Sequence, residues 1–247
     1  MNKKLLFSAL MVLLSLYIQA QSQLQQVEFT KDKNSPRLFF SVEGGLSYLT
    51  VSVKDEKEAM VQSGADANDV DEFYSDFKLG YHARATAGLM FSKNLGAGIK
   101  YRYFNSNAKM MTFLDPQDGM NLYYGELSEN VYLNFVGGSF VANRELSEHW
   151  AIGIDYGVGL TLLHDETVAL NYRILTTGAT LSLDLGFRAE YKITPRLSTS
   201  VQAALYLANF KTVTMDDGYQ KETIDLDKDQ YLNYSAIDLS AGFVYRF

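Results

Sequence analysis

Residues 181–193, LSLDLGFRAEYKI, separate their side chains into two sets by position alone. Leu181, Leu183, Leu185, Phe187, Ala189, Tyr191 and Ile193 share one parity. Ser182, Asp184, Gly186, Arg188, Glu190 and Lys192 share the other. A helix cannot sort such a run onto two faces, whereas a strand does so because successive side chains point to opposite sides. The same alternation runs through 77–91, with Phe77, Leu79, Tyr81, Ala83 and Ala85 opposed to Lys78, Gly80, His82, Arg84 and Thr86. It returns at 237–247, where Ile237, Leu239, Ala241, Phe243, Tyr245 and Phe247 oppose Asp238, Ser240, Gly242 and Arg246.

Working outward, eight segments carry this pattern: 37–51, 77–92, 95–106, 130–143, 149–163, 177–193, 197–210 and 234–247. Their connections alternate in length. Lys93–Asn94, Arg144–Glu148 and Thr194–Arg196 are short, whereas 52–76, 107–129, 164–176 and 211–233 are long. Strands joined by tight turns are antiparallel neighbours, and eight can close into an up-and-down barrel whose interior side chains fill. The fold expected is therefore all-β, an eight-stranded antiparallel barrel over 37–247.

Composition agrees. The 247 residues include 17 Tyr and 15 Phe, too aromatic for a disordered chain. There is no Cys, so there is no disulfide framework or thiolate site. A net charge of −7 argues against a nucleic-acid binder. Residues 1–20, MNKKLLFSALMVLLSLYIQA, have the basic start, apolar centre and small final residue of a secretory signal peptide. Cleavage after Ala20 removes Lys3 and Lys4 and takes the charge from −7 to −9. Residues 21–36 are a polar lead-in.

A soluble barrel is apolar inside; an outer-membrane barrel is apolar outside. Three features favour the second: charges and glycines crowd the polar face, short and long connections alternate, and aromatics gather near the strand ends. Phe40, Phe91, Trp150, Tyr191, Tyr245 and Phe247 mark one rim, and Tyr48, Phe77 and Tyr103 the other. The segments exceed the roughly 9–11 residues needed to cross a bilayer. The final run, Ser240-Ala241-Gly242-Phe243-Val244-Tyr245-Arg246-Phe247, ends in alternating aromatics. On these residues, 37–247 resembles the small eight-stranded outer-membrane β-barrel family of Gram-negative bacteria, the OmpX/OmpA-transmembrane type. The resemblance implies that Gly242, Phe243, Tyr245 and Phe247 form the signal read by the barrel-insertion machinery. It also implies short turns and both termini on the periplasmic side, four loops outside, and lipid and lipopolysaccharide around a monomeric barrel.

Extending the parity gives an inward set: Glu43, Lys78, His82, Arg84, Lys100, Arg102, Asp155, Asp184, Arg188, Glu190, Lys192, Asp238 and Arg246. Buried charges must be paired, so the set reads as a network plugging the lumen; the alternative is a narrow channel for ions or small solutes. Gly153, Gly157 and Gly159 share this face, where they either leave local space or accommodate large neighbours such as Arg102 and Tyr132.

No catalytic residue is assigned. Barrels of the resembled family include lipid A deacylases and palmitoyltransferases, but their adjacent, like-facing His and Ser are not matched by His82-x-Arg84, and His164-Asp165-Glu166 has no serine nearby. Asp225-Leu226-Asp227-Lys228-Asp229 starts like a calcium loop, but Gln230 and Ala236 stand where Gly and Glu are required. No metal or cofactor is expected.

The long connections carry the functional expectation. Segment 52–76 is acidic and without a clear period, read as a mobile loop. Met111 and Phe113 precede Asp115-Pro116-Gln117-Asp118-Gly119, and Val213 and Met215 precede Asp216-Asp217-Gly218. Both read as hairpins that continue the strands above the membrane, with an edge open to an extracellular protein partner. The function expected is a structural or surface-interaction role: adhesion, recognition or envelope integrity; the alternatives are a narrow channel for small solutes or ions and, after it, a lipid-modifying outer-membrane enzyme.

Overall fold

A computed structural model describes residues 37–114, 123–170, 172–228 and 230–247. The expected signal peptide, the lead-in and the Asp115–Gly119 turn lie outside the described residues.

The strands are β1 (Arg37–Leu49), β2 (Leu79–Met90), β3 (Leu95–Leu114), β4 (Tyr123–Glu145), β5 (Trp150–Ala169), β6 (Tyr172–Lys192), β7 (Leu197–Leu207), β8 (Asn209–Phe210), β9 (Thr212–Asp216), β10 (Lys221–Asp225), β11 (Leu232–Asn233) and β12 (Ala236–Arg246). Two helices, α1 (Lys54–Gln62) and α2 (Ala67–Lys78), lie between β1 and β2. β1 to β7 pair in sequence, all antiparallel; β12 pairs with β7 on one side and β1 on the other. The result is a closed ring of eight strands with no free edge.

Three tight turns at one end share one device. Ser92, Ser147 and Thr194 each accept, through the side-chain hydroxyl, the backbone N–H of the residue three further on, at 3.0, 3.1 and 3.0 Å. Each also donates its own N–H to that residue's carbonyl. Such hydroxyl-capped turns satisfy backbone groups where the chain reverses within four residues.

The side-chain distribution is inverted relative to a water-soluble barrel. Leu181 is 73% exposed and Ile99 67%, while Lys100, Arg102 and Asp238 are fully buried. Leu38, Phe40, Val42 and Leu46 on β1, and Ile237, Leu239 and Phe243 on β12, continue the apolar outer face. A monomer in water rarely exposes more than a few hundred Å² of contiguous apolar surface; here it runs round the ring.

Aromatic rows bound this belt. Near the tight turns, Trp150 packs on Tyr191 at 5.1 Å between centroids and Tyr245 on Phe247 at 4.8 Å. At the other edge Tyr81, Tyr103, Tyr132 and His164 form a continuous row, with centroids 6.2, 6.4 and 5.7 Å apart. Above it the outer face mixes polar with apolar residues: Asn107 and Lys109 on β3, Glu126 and Asn130 on β4, Glu166 on β5 and Arg173 on β6 stand with exposed Met111, Phe113 and Tyr124. Those charges pair with one another, Arg173 with Glu166 (2.5 Å) and Lys109 with Glu126 (3.6 Å).

β3 to β6 rise beyond this row, and β9 and β10 extend the sheet on the β6 side. Its outer edge, β10, carries exposed Lys221 and Glu222; charge on an edge discourages indiscriminate pairing. The Asp216–Gly218 turn forms as expected, with Gly218 at φ +84°.

Four expectations are corrected. Segment 52–76 holds two helices rather than an irregular loop. Asp66 caps α2, accepting the Asn68 N–H at 2.8 Å, and Val70, Phe73 and Phe77 recur at helical spacing. Phe77 is therefore a buried helix residue, not a rim aromatic. Segment 164–176 is mostly strand, because β5 and β6 stay paired up to Ala169 and Tyr172. Tyr132 faces outward, so it is not the bulky neighbour of the strand-five glycines.

Candidate functional site

The inward faces build two stacked interiors. The half nearer the tight turns is ionic. At its base Arg246 reaches Glu190 (2.6 Å), Arg188 contacts Glu190 (3.1 Å) and Glu43 (3.4 Å), and Arg84 bridges Glu43 (3.5 Å), Asp184 (3.2 Å) and Asp238 (3.0 Å). Lys100 lies between Asp155 (2.9 Å) and Asp184 (3.5 Å). Arg102 grips Asp238 with two nitrogens at 2.8 Å, donates to Ser47 Oγ at 3.1 Å and lies 4.1 Å over the Tyr206 ring. Ser47 donates to Asp238 at 2.5 Å. Gln202 fits with its amide nitrogen 3.3 Å from both Glu43 oxygens and its oxygen accepting from Arg84 at 3.0 Å.

Small residues make the network possible. A Cβ on Gly186 would stand 2.2 Å from the Gln202 amide, and one on Gly157 would meet Lys100 Cδ at 3.3 Å. Gly157 thus makes room for Lys100.

Of the thirteen inward residues expected, twelve line the ring interior or its lower rim. Lys78 does not; it closes α2, and the strand parity begins only at Leu79. Lys192 sits at the rim, a quarter exposed, and pairs with Glu145 at 2.6 Å rather than with the network. What remains is balanced. Arg84, Lys100, Arg102, Arg188 and Arg246 face Glu43, Asp155, Asp184, Glu190 and Asp238. Unpaired burial would cost several kcal/mol per ion, so a neutral network is the affordable way to fill such a lumen with charge. His82 is buried beside it, Nδ1 3.9 Å from Asp238 Oδ1, and neither ring nitrogen is hydrogen-bonded.

Above the network the interior becomes apolar. Leu49, Phe104, Val131, Leu133, Phe135, Leu163 and Phe210 form one cluster with Val70, Phe73 and Phe77 of α2, so the helix seals the mouth. The sequence pointed to the ionic half by its polar parity; this apolar half was missed. Its signal was the change of inward residues from charged to apolar past Arg102, at Phe104 on β3.

Two carboxylates border that apolar seal, Asp165 buried and Glu129 half-buried. Asp165 on β5 faces Val131 across the pair, and Glu129 lies two residues further along β4 on the same face. Tyr234 donates to Asp165 Oδ2 at 2.6 Å, while Asp165 Oδ1 has no hydrogen-bond partner. Both acids lie beyond the Tyr132–His164 row. Burial, then the neighbouring Asp165, pushes Glu129 up to about 8. Burial raises Asp165 to about 6 against the Tyr234 hydrogen bond and His164. Tyr234 is driven well above its usual range by burial and by Asp165. Tyr74 on α2 rises to about 12 through burial and the nearby Glu129 and Glu56.

At the carboxyl end, Gly242, Phe243, Tyr245 and Phe247 all lie at the β12 seam. Phe243 pairs with Val42, Tyr245 with Phe40, and the Phe247 N–H reaches Leu38 O at 3.0 Å. A Cβ on Gly242 would collide with Val42 O at 2.0 Å, so glycine permits the close approach of β1.

No family model and no curated protein sequence matches the chain. Among solved structures it is similar to a major outer membrane protein of Thermus thermophilus, at 16% identity, with 85% of this chain and 99% of that one covered and a TM-score of 0.50. Neisserial surface protein A matches at 13% identity over 85% and 97% of the two chains, with a TM-score of 0.46. The attachment invasion locus protein Ail of Yersinia pestis matches at 9% identity over 86% and 97%, with a TM-score of 0.39. At such identities the likeness to the Thermus protein speaks to fold alone. Joined to the closed ring, the apolar exterior and the ionic lumen, it shows that the chain has the fold of the small eight-stranded outer-membrane barrels.

Proposed function

We propose that the protein resides in the outer membrane as a monomer, with the tight turns and both strand termini on the periplasmic side, and serves a structural or surface-interaction role. The observation that carries this reading is the division of the molecule at the upper aromatic row. Below it lie an apolar belt and a side-chain-filled lumen; above it stand a helical cap and a six-stranded wall whose outer face mixes paired charges with exposed Met111, Phe113 and Tyr124. The part beyond the belt is where adhesion, recognition or contact with lipopolysaccharide and an extracellular protein would occur. The insertion machinery would engage the β12 signal. The reading is non-enzymatic: His149 stacks on Tyr191, His164 packs edge-on against Tyr132, and His82 sits beside a carboxylate already held by two arginines.

Protease shaving of intact cells, with cut sites mapped by mass spectrometry, tests location and orientation. Cuts confined to 50–78, 115–122 and 208–235 support the reading; surface cuts at 92–94 or 146–149 invert it. Binding of intact cells to host cells or matrix, compared with a variant lacking 211–233, tests the role of the wall. In planar bilayers, a steady conductance altered by Arg84→Ala or Arg102→Ala would instead favour the narrow channel.

A further inference from the structure

We propose that the open edge of β10 is a self-recognition strand, which pairs antiparallel with β10 of a second copy of this chain standing in a facing outer membrane. The inference rests on the location and orientation proposed above. β10 ends the wall, and no described residue pairs with its far side. The hairpin register decides which backbone groups that side offers. The Asp217 N–H bonds Gln220 O at 3.2 Å, and the Leu226 N–H bonds Lys211 O at 2.7 Å, so both are hydrogen-bonded pairs of one β9–β10 ladder. Hydrogen-bonded and non-bonded pairs alternate along such a ladder. Glu222 and Ile224 therefore turn their backbone groups towards β9, while Lys221, Thr223 and Asp225 turn theirs to the open side. These three are exposed, and their side chains share the outer face of the wall, since Thr223 stands opposite Thr214, Thr214 opposite Thr177, and Thr177 opposite outward His164.

The run Lys221-Glu222-Thr223-Ile224-Asp225 is its own antiparallel complement. Centred on Thr223, a second copy sets each Lys221 opposite the other's Asp225, and Thr223 opposite Thr223. The three pairs join two sets of outward backbone groups into six hydrogen bonds. Thr223 already makes a cross-strand hydroxyl contact of this kind, with Thr214 at 2.9 Å. Both charged side chains keep capacity for a partner. Asp225 Oδ1 accepts from the Thr212 hydroxyl at 2.7 Å, which leaves its second oxygen, and Lys221 lies 3.9 Å from Asp216. Shifting the centre to Lys221, Glu222 or Asp225 sets like charges face to face, which is destabilising. The edge charges that deter general pairing thus admit this one. Strand direction fixes where the second copy stands. Copies in one membrane point the same way and cannot bring these edges together antiparallel. A twofold axis across the strands inverts the second copy, which places it on an opposing cell. A five-residue edge is a small contact, so strength between cells comes from many copies engaged at once.

Charge exchange tests the register. Two differently fluorescent cell populations carry the full-length protein and are mixed, and mixed aggregates are counted. Cells with the unsubstituted protein should co-aggregate. Lys221→Asp opposes acid to acid and Asp225→Lys opposes base to base, so each should weaken its own contact by about tenfold or more and lose aggregation with itself. Lys221→Asp cells mixed with Asp225→Lys cells regain both opposite-charge pairs and should co-aggregate again. Thr223→Pro deletes an N–H on the open side and none towards β9, and should abolish the contact. The chain has no cysteine, so Tyr219→Cys at the exposed hairpin tip, added to each background, takes a membrane-impermeant maleimide only where the hairpin stands outside the cell. Labelled cells that fail to co-aggregate, that adhere equally to cells lacking the protein, or whose charge-exchanged mixture does no better than either variant alone overturn the pairing and leave the proposed orientation standing. No labelling overturns the orientation, and the pairing with it.

Discussion

Replacing Arg102 with Leu should destabilise the barrel by about 3–5 kcal/mol, the range for removing one partner from a buried ion pair. The structure supports that size. Arg102 is fully buried and makes three hydrogen bonds, two of them to the Asp238 carboxylate. Charge-assisted bonds contribute about 1.5–3 kcal/mol each. Asp238 keeps Ser47 at 2.5 Å and Arg84 at 3.0 Å, which limits the loss, and Leu retains some packing on Tyr206 and Phe104. The decisive comparison is Arg102→Leu/Asp238→Leu. It removes one charge of each sign and leaves four cations facing four carboxylates. A balanced network predicts that the double variant costs at least about 1.5 kcal/mol less than the two single losses summed, a coupling typical of contacting residues. Reversible urea unfolding in lipid vesicles, followed by the fluorescence of Trp150, measures all three. A single loss below about 1 kcal/mol, or simple additivity, would refute the idea that pairing inside the lumen controls its stability.

Leu185 faces outward midway between the aromatic rows, so Leu185→Arg should cost about 2–4 kcal/mol in the same unfolding assay and lower the membrane yield. Gly45→Ala sets a Cβ 1.9 Å from Leu239 O at the β1–β12 seam and should cost roughly 1–3 kcal/mol, whereas the open site at Gly138 should tolerate Ala within about 0.5 kcal/mol. Tyr234→Phe removes the donor that favours ionised Asp165 and should raise the carboxyl's titration by roughly half to one pH unit, read from its infrared carboxyl band. Deleting Phe247 should slow insertion, measured as the rate at which folded barrel appears after synthesis, with little change in its final unfolding midpoint.

Strand alternation was legible wherever the outer face meets an apolar medium, because the two sides then differ in polarity at every step. It faded where both sides lie outside the belt. His164 and Glu166 broke the apolar parity of β5, so its upper end read as loop although pairing continues to Ala169. The inward ionic set was readable because charge alternated with bulk. The apolar mouth was not, since Leu133 or Phe135 beside outward Val136 shows no contrast. The helices were hidden in an acidic run whose apolar residues are few; Val70, Phe73 and Phe77 gain their meaning from the mouth they cover. Lys78 and Phe77 were drawn into the strand because the period of two runs smoothly back from Leu79 by accident. Hydroxyls at Ser92, Ser147 and Thr194 stood at equivalent turn positions throughout, a recurrence evident only once their backbone bonds are compared.

The pairing of β1 with β12 bears on how the molecule comes into being. Among the described residues these are the first and last strands of the ring, and each is the other's neighbour on its closing side. A product that stops short of β12 has two unpaired flanks and no sealed circumference. Such a fragment presents the bare edges of β1 and β7 to whatever surrounds it. Completion is all or nothing, so the cell has a simple physical criterion for telling finished copies from fragments.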